Sequence, residues 1–394
     1  MSYLIGAETC PLPEFNLSPR DVDGLVDELT IYHARFGPAF RRPEQFYWSG
    51  IYLNGLLGDE PRKSIEPMAL QAGVNVRDLQ YFVGQSPWPI KPAISIHQQM
   101  IDETLGEDDA VAIIDESGVV KQGEDSVGVD HQYCGSVGKV ANCQVGVYLG
   151  YTSRLGYTLG EGRLYMPESW FDAEHAEKRE KCGVPEELTF KTKPEIALEI
   201  LQDTVQRGAL RFRWVTADEV YGNTPQFLDG VANLGKWYFA EVACSTRVWR
   251  CRPAVVKPWW SRRGRRPKVR LRTPSHQPVR VDQVAERLPK KAWSAYLVKE
   301  GSKGPIVCDF AFLRVTVVRD KLPGDTVWLV IRRNLENPNQ IKFYLAMHRP
   351  ISIRRNWFAS AGCAGRSRPL SNRARRRSDW TTTRRAVGCD GIII

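Results

Sequence analysis

No stretch of this chain is apolar for long enough to span a bilayer, and the N-terminus MSYLIGAETCPLPE lacks a basic segment followed by an apolar one. Neither a membrane span nor a secretory leader is expected, and the reading is a cytoplasmic protein. The 9 cysteines are odd in number and scattered, none forms a C-x-x-C pair, and the 6 histidines supply no zinc spacing. A disulfide scaffold and a structural zinc are both disfavoured, and reduced thiols are expected. There are no internal repeats. What is present is ordinary in bulk: 394 residues, 42% hydrophobic and 25% charged, enough for two or three domains with real cores.

The formal net charge of +10 invites a nucleic-acid reading, but its location undercuts the global number. Residues 347–394 carry eleven arginines against two acids, Asp379 and Asp390, so nearly all the excess sits in that tail. Any argument for nucleic acid must come from local patterns in the body. One such pattern is KPWWSRRGRRPKVRLRTP (257–274), where Lys257, Arg262, Arg263, Arg265, Arg266, Lys268, Arg270 and Arg272 have no acid among them. Trp259 and Trp260 stand beside these cations. Phosphate neutralisation with stacking on an unpaired base is the functional reading, and a solvated basic loop is the plain one.

Residues 20–105 read as helices with short connections. Segments 20–36, 43–58, 76–84 and 97–106 show helical periodicity, with Pro43 at a helix start and Gly58 at its end. A helical DNA-binding region at 1–105 and a helical cap on the next domain are both compatible with this. At residue 110 the period changes. AVAIID (110–115) and RFRWVTAD (211–218) are short apolar runs that end in a carboxylate, the pattern of buried strands. Between and beyond them lie a predicted hairpin (143–167), helices at 193–208 and 224–235, and a strand at 236–243. The expected fold class is α/β, a mixed sheet with helices on its faces. A mainly-β insertion is expected over 245–335, with a return to the core at 336–346.

The two strand-end carboxylates are Asp115 and Asp218. On neighbouring strands they would face one another across the rim of the sheet, where hard oxygen ligands suit Mg²⁺ or Mn²⁺. Divalent metal so held activates an attacking hydroxyl and steadies the leaving oxygen of a phosphodiester. An Asp at a strand end also serves as a helix cap or turn residue, so spacing alone leaves both readings open.

Longer motifs surround both acids. Asp115, Glu116, Ser117, Gly118, Lys121 and Gly123 form one block. Ser126–Asp130, Gln132, Tyr133, Cys134, Gly135, Gly138, Lys139, Asn142, Cys143 and Gln144 form the next, and Ala217, Asp218, Tyr221 and Gly222 a third. In this order they resemble the DDE transposases of bacterial insertion sequences, and the resemblance covers roughly residues 35–346. It implies an RNase H-like core at 106–244, an N-terminal helical DNA-binding region, the β insertion, and Mg²⁺- or Mn²⁺-dependent cutting and joining of DNA. The implied partners are double-stranded DNA, both transposon terminal repeats and target, and a second copy of the chain on paired ends. No membrane partner is implied, and the implied location is cytoplasmic, on the nucleoid. Asp115 and Asp218 would hold metal. Lys121, Lys139 and Tyr221 would position phosphate or strand, or serve as plain surface and packing residues.

Similarity stops at Ala346. Relatives continue with S-N-A-P-A-D and L-V-R-V-x-G-M-R-W-P-I-E, whose Glu is the third catalytic acid, whereas this chain continues MHRPISIRRNWFASAGCAGRSRP. Codons legal for that segment, read from their third base, give APADIDPTKLVRVSGMRWPIET. The absent Glu codon would straddle Ser367 and Arg368. The same shift turns SDWTTTRRAVGCDGIII into a fit for a later motif, L-D-H-Y-E-x-R-S-W-x-x-W-H-H-H. Degeneracy makes these readings compatible rather than forced, but two separate motifs fit one shift. The expectation is a frameshift near residues 346–347, a disordered arginine-rich tail over 347–394, and loss of the third acid. Glu300 and Glu336, read as loop residues before the expected helix, are poor substitutes. The alternatives are a non-catalytic DNA-binding remnant and a generic RNase H-like endonuclease without terminal-sequence dependence.

Overall fold

The computed structural model describes residues 19–259, 268–301, 304–335 and 337–348. The chain divides into two compact units, with the boundary between Thr104 and Leu105. The first holds α1 (Pro19–Ala34), α2 (Pro43–Leu57), α3 (Ile65–Gln71), α4 (Val76–Gly84) and α5 (Ile90–Leu105). Local chemistry sets these starts. Pro43 opens α2, where a missing N–H costs nothing, and the Asn75 side chain accepts the Arg77 N–H at 2.9 Å to cap α4. Met68, Ala69, Leu79 and Phe82 are buried together, with Phe40, Trp48 and Trp88 packed against them. Helix α3 was not foreseen, because a seven-residue helix with Pro67 in its first turn shows little periodicity. Helix α5 begins seven residues before the predicted His97.

The second unit is built on one sheet. Its strands are β1 (Val111–Val120), β2 (Asp130–Cys134), β3 (Lys139–Thr152), β4 (Tyr157–Tyr165), β5 (Trp214–Ala217), β6 (Trp237–Val242) and β7 (Arg247–Trp249). A two-residue pair, β8 (Val255–Val256) with β9 (Arg270–Leu271), stands apart from it. The series resumes with β10 (Val279–Arg280), β11 (Ser294–Gly301), β12 (Gly304–Arg319), β13 (Leu322–Asn334) and β14 (Ile341–Ala346). The helices are α6 (Ala176–Lys181), α7 (Lys193–Arg207), α8 (Glu219–Gly222), α9 (Pro225–Asn233) and α10 (Val281–Glu286).

The sheet order is β10-β7-β12-β13-β14-β6-β5-β1-β3-β2, with β11 on β12 and β4 on β3. Among the described strands only β1, β5 and β6 run parallel, and helices make the crossovers that parallel neighbours need. Helix α7 is well specified: Thr192 and Glu195 form a capping box, and Gly208 closes it at φ +65°. It packs on β3 and β4 and on α9, which contacts β6. The mixed α/β fold is thus as expected and RNase H-like. The β insertion is continuous with this sheet, since β14 pairs with both β6 and β13.

Side chains on one sheet face, Val111, Trp214, Phe239, Tyr344, Val330 and Phe310, form a continuous buried cluster from β1 to β12. Each such side chain contributes roughly 1.5–3 kcal/mol by leaving water. The six described cysteines form no disulfide and are free thiols. Among the described residues no helix is long and apolar enough to cross a membrane.

Candidate active site

The parallel register places the two carboxylates. Ile114 pairs with Ala217 across β1 and β5, so Asp115 and Asp218 are the next residues on neighbouring strands. Asp115 is not at a strand end, however. It lies within β1 and pairs with Tyr148 of β3, and only its β5 partner runs out there. Its Oδ1 accepts the Glu116 N–H at 2.8 Å. Asp218 caps α8, its Oδ1 accepting the Val220 N–H at 3.0 Å, so the helix-cap reading of this residue holds.

Burial raises both acids. The Asp115 carboxyl is pushed up to about 7, by desolvation first and with the Asp218 and Glu116 charges adding to it. Asp218 is pushed up to about 6, again by desolvation first, then by the Glu116 charge, against the pull of backbone N–H groups. Two carboxyls held this close and this dry are ready to surrender protons to a cation. Glu116 completes the acidic surroundings. One of its oxygens takes Lys193 Nζ at 2.8 Å, and the other, Oε2, is buried without a hydrogen-bond partner among the described residues.

The ADEVYG segment explains itself here. Tyr221 is fully buried, and its hydroxyl, without a partner among the described residues, is held well above the usual phenol range by burial and by the Glu116, Asp218 and Asp115 charges. Gly222 brings α8 against β6. A Cβ at Gly222 would overlap the Glu241 carbonyl oxygen, a backbone atom that cannot swing away. Gly222→Ala is therefore expected to cost about 2–3 kcal/mol of stability through overpacking. It should also displace Asp218 four residues before it. Urea unfolding checks this, and an Ala variant with wild-type stability would show that α8 is free to lift.

The other sequence candidates scatter. Lys121 lies just past β1, roughly 20 Å along the strand from Asp115, and Lys139 opens β3, roughly 30 Å from Tyr148 opposite Asp115. Neither reaches the carboxylate pair. Trp259 is 86% exposed and Lys268 is exposed. Trp260, Arg262, Arg263, Arg265 and Arg266 lie outside the described residues, as does the tail beyond His348. Glu300 falls within β11 rather than in a loop, and Glu336 is not among the described residues.

One acid escaped the sequence reading. Ala217 pairs with Ala240, so Glu241 on β6 is the next in the row after Asp115 and Asp218. Its signal was available in WYFAEV, a third apolar strand ending near a carboxylate. Glu241 is committed to Lys342, whose Nζ is 3.0 Å away, and burial raises its carboxyl. Among the described residues no three His, Cys, Asp or Glu side chains are grouped to hold a metal ion. By themselves, Asp115 and Asp218 offer adjacent hard oxygen donors of the kind a divalent cation takes.

The sheet with its carboxylates on adjacent parallel strands is of the RNase H-like class. The family described as DDE superfamily endonuclease matches residues 35–305, and the chain belongs to it. A protein of Microchaete diplosiphon titled "Probable transposase for insertion sequence element IS701" is 30% identical over 205 residues, which are 50% of this chain and 48% of that protein. The chain thus spans about half the length of the curated relative it matches.

Proposed function

We propose that this chain is an insertion-sequence transposase by descent that binds DNA and does not cut it as written. The observation that carries the reading is the register Ile114 to Ala217, which sets Asp115 beside Asp218. These two would hold Mg²⁺ or Mn²⁺, and the bound metal would supply charge neutralisation and an activated hydroxyl at the phosphodiester. Asp115 offers its oxygens from a rigid strand shared with β3. Asp218 is aimed by the N–H groups of α8, whose Tyr221 is fully buried. The third acid is the one lost by a frame change after Ala346, and Glu241, tied to Lys342, does not replace it. DNA would be gripped by the helical unit and by the basic segment around Trp259, with Lys121 and Lys139 available to distant phosphates. Assembly as a dimer on paired ends belongs to the same reading.

The test is incubation of the chain with duplex DNA carrying the element's terminal repeats and with Mg²⁺ or Mn²⁺. Binding without nicking supports the reading. Nicking independent of the terminal sequence would favour a generic endonuclease.

Trp259 gives a separate prediction. A tryptophan this exposed gains by stacking on an extruded base, at roughly 1–3 kcal/mol per base. Trp259→Ala should weaken binding to a duplex with an unpaired base about tenfold, and to a fully paired duplex far less. Equal loss on both would mean the ring packs against protein or backbone.

A further inference from the structure

The sheet face of the carboxylate pair carries two cations that metal-dependent cutting does not use. Asp218 continues β5 in extended backbone, φ −76° and ψ −172°, and Glu241 follows it one strand over. On β14, Tyr344 lies opposite Glu241 and opposite Val330 of β13, while Lys342 lies opposite Arg332. Directly opposed residues, and residues two apart along a strand, share a face. Glu241, Tyr344, Lys342 and Arg332 therefore share one face, next to Asp218.

Two of these groups carry a buried atom without a hydrogen-bond partner, although the Arg332 charge acts on the Glu241 carboxyl. Arg332 Nη1 is buried without a hydrogen-bond partner among the described residues, and so is the hydroxyl of Tyr344, a residue only 2% exposed. The arginines nearby are committed: Arg333 pairs with Asp309 at 2.8 Å, and Arg314 donates to the Thr326 carbonyl at 2.9 Å. Buried donors without acceptors are costly and rare. A bound anion would supply the missing acceptor, and a guanidinium fork suits phosphate better than any other common anion except carboxylate. Lys342 already has its carboxylate, Glu241, at 3.0 Å. By strand spacing Arg332 lies roughly 15 Å across the sheet from Asp218, a few nucleotides along a bound strand.

We propose that Arg332, joined by Lys342 when it leaves Glu241, seats a DNA backbone phosphate a few nucleotides from the one presented to Asp115 and Asp218. In free protein Glu241 holds Lys342 in place, so the seat is organised before DNA arrives. This assignment rests on the DNA-binding reading, and the two fail in different ways.

The experiment is equilibrium binding of the full chain to a fluorescent duplex of arbitrary sequence across a salt series, read by anisotropy. Absence of binding by the unmodified chain sinks the DNA reading and this inference with it. Where the unmodified chain binds, each phosphate contact contributes about 0.9 to the log–log salt slope. Arg332→Met keeps the aliphatic stem against Phe310, its partner on β12. It should lower the slope by about 0.9 and weaken binding at low salt, while Arg332→Lys keeps most of the slope. Lys342→Met, the second probe should Arg332→Met not fold, is expected to lower it similarly. A folded Arg332→Met or Lys342→Met variant with an unchanged slope overturns the proposal, because a purely structural role would not depend on salt.

Discussion

Restoring the reading frame after Ala346 should convert a chain that binds DNA into one that cuts it, with a gain of about a hundredfold to a thousandfold in metal-dependent nicking. The magnitude follows from what one ligand does in such a site. Positioning and charge neutralisation supply nearly all the catalysis, and removal of a single pre-organised group commonly costs a hundredfold to a thousandfold. Strand β14, the last of the sheet, is paired on both sides and buried from Phe343 to Ala346, directly before the proposed break. Resequencing the gene from about codon 335 past the stop comes first, since a miscalled base would restore GMRWPIE without any engineering. In the restored chain, Asp115→Ala and Asp218→Ala should each return activity to the level of the unrestored one. The double variant should be no worse than either single variant, because ligands of one site act as a unit. Comparable nicking by the chain as written, or by restored chain lacking Asp115, would remove these carboxylates from the chemistry.

The carboxylate pair was legible because both acids close short apolar runs and sit in dense motifs that local chemistry demands. Asp218 must cap a helix, Tyr221 must be buried, and Gly222 must admit the Glu241 backbone, all within six residues. The rest of the rim was not legible, for a reason of distance along the chain. Lys342 reaches Glu241 across 101 positions, and Arg332 joins them only through the β13–β14 pairing. No periodicity encodes such a meeting. Asp115 was read as a strand end because apolar residues stop there, yet β1 runs on to Val120 through Gly118 and its pairing with β3. The hydrophobic pattern reports burial, whereas strand length is set by partners. Likewise the long hairpin of β12 and β13 turns at Asp320 and Lys321, at φ 51° and 64°, without the Asn-Gly or Asp-Gly signal that marks such turns.

Folding stability without metal should fall as pH rises from about 4 to about 7, and Asp115→Asn should abolish much of that fall. Both acids have folded-state values above the ordinary 3.8, Asp115 at about 7 and Asp218 at about 6. The folded chain therefore binds more protons than the unfolded chain across this window, so raising the pH favours unfolding. Below about pH 4 both states are protonated and the penalty is absent; above about pH 7 both are ionised and it is complete. At about 1.4 kcal/mol per unit, and allowing for the coupling between the two acids, the penalty is on the order of 4 kcal/mol. Asp115→Asn removes the larger share, so above about pH 7 the variant should be the more stable protein, while near pH 4 the two should be alike. Added Mg²⁺ or Mn²⁺ should stabilise the unmodified chain at high pH and do little at low pH, since protons and metal compete for the same oxygens. The Asn variant should lose most of that metal response. Urea unfolding across pH, with and without metal, reads all of this. A flat profile in the unmodified chain, or an Asn variant that is less stable above pH 7, would mean the two carboxyls are neither as dry nor as close as the β1–β5 register places them.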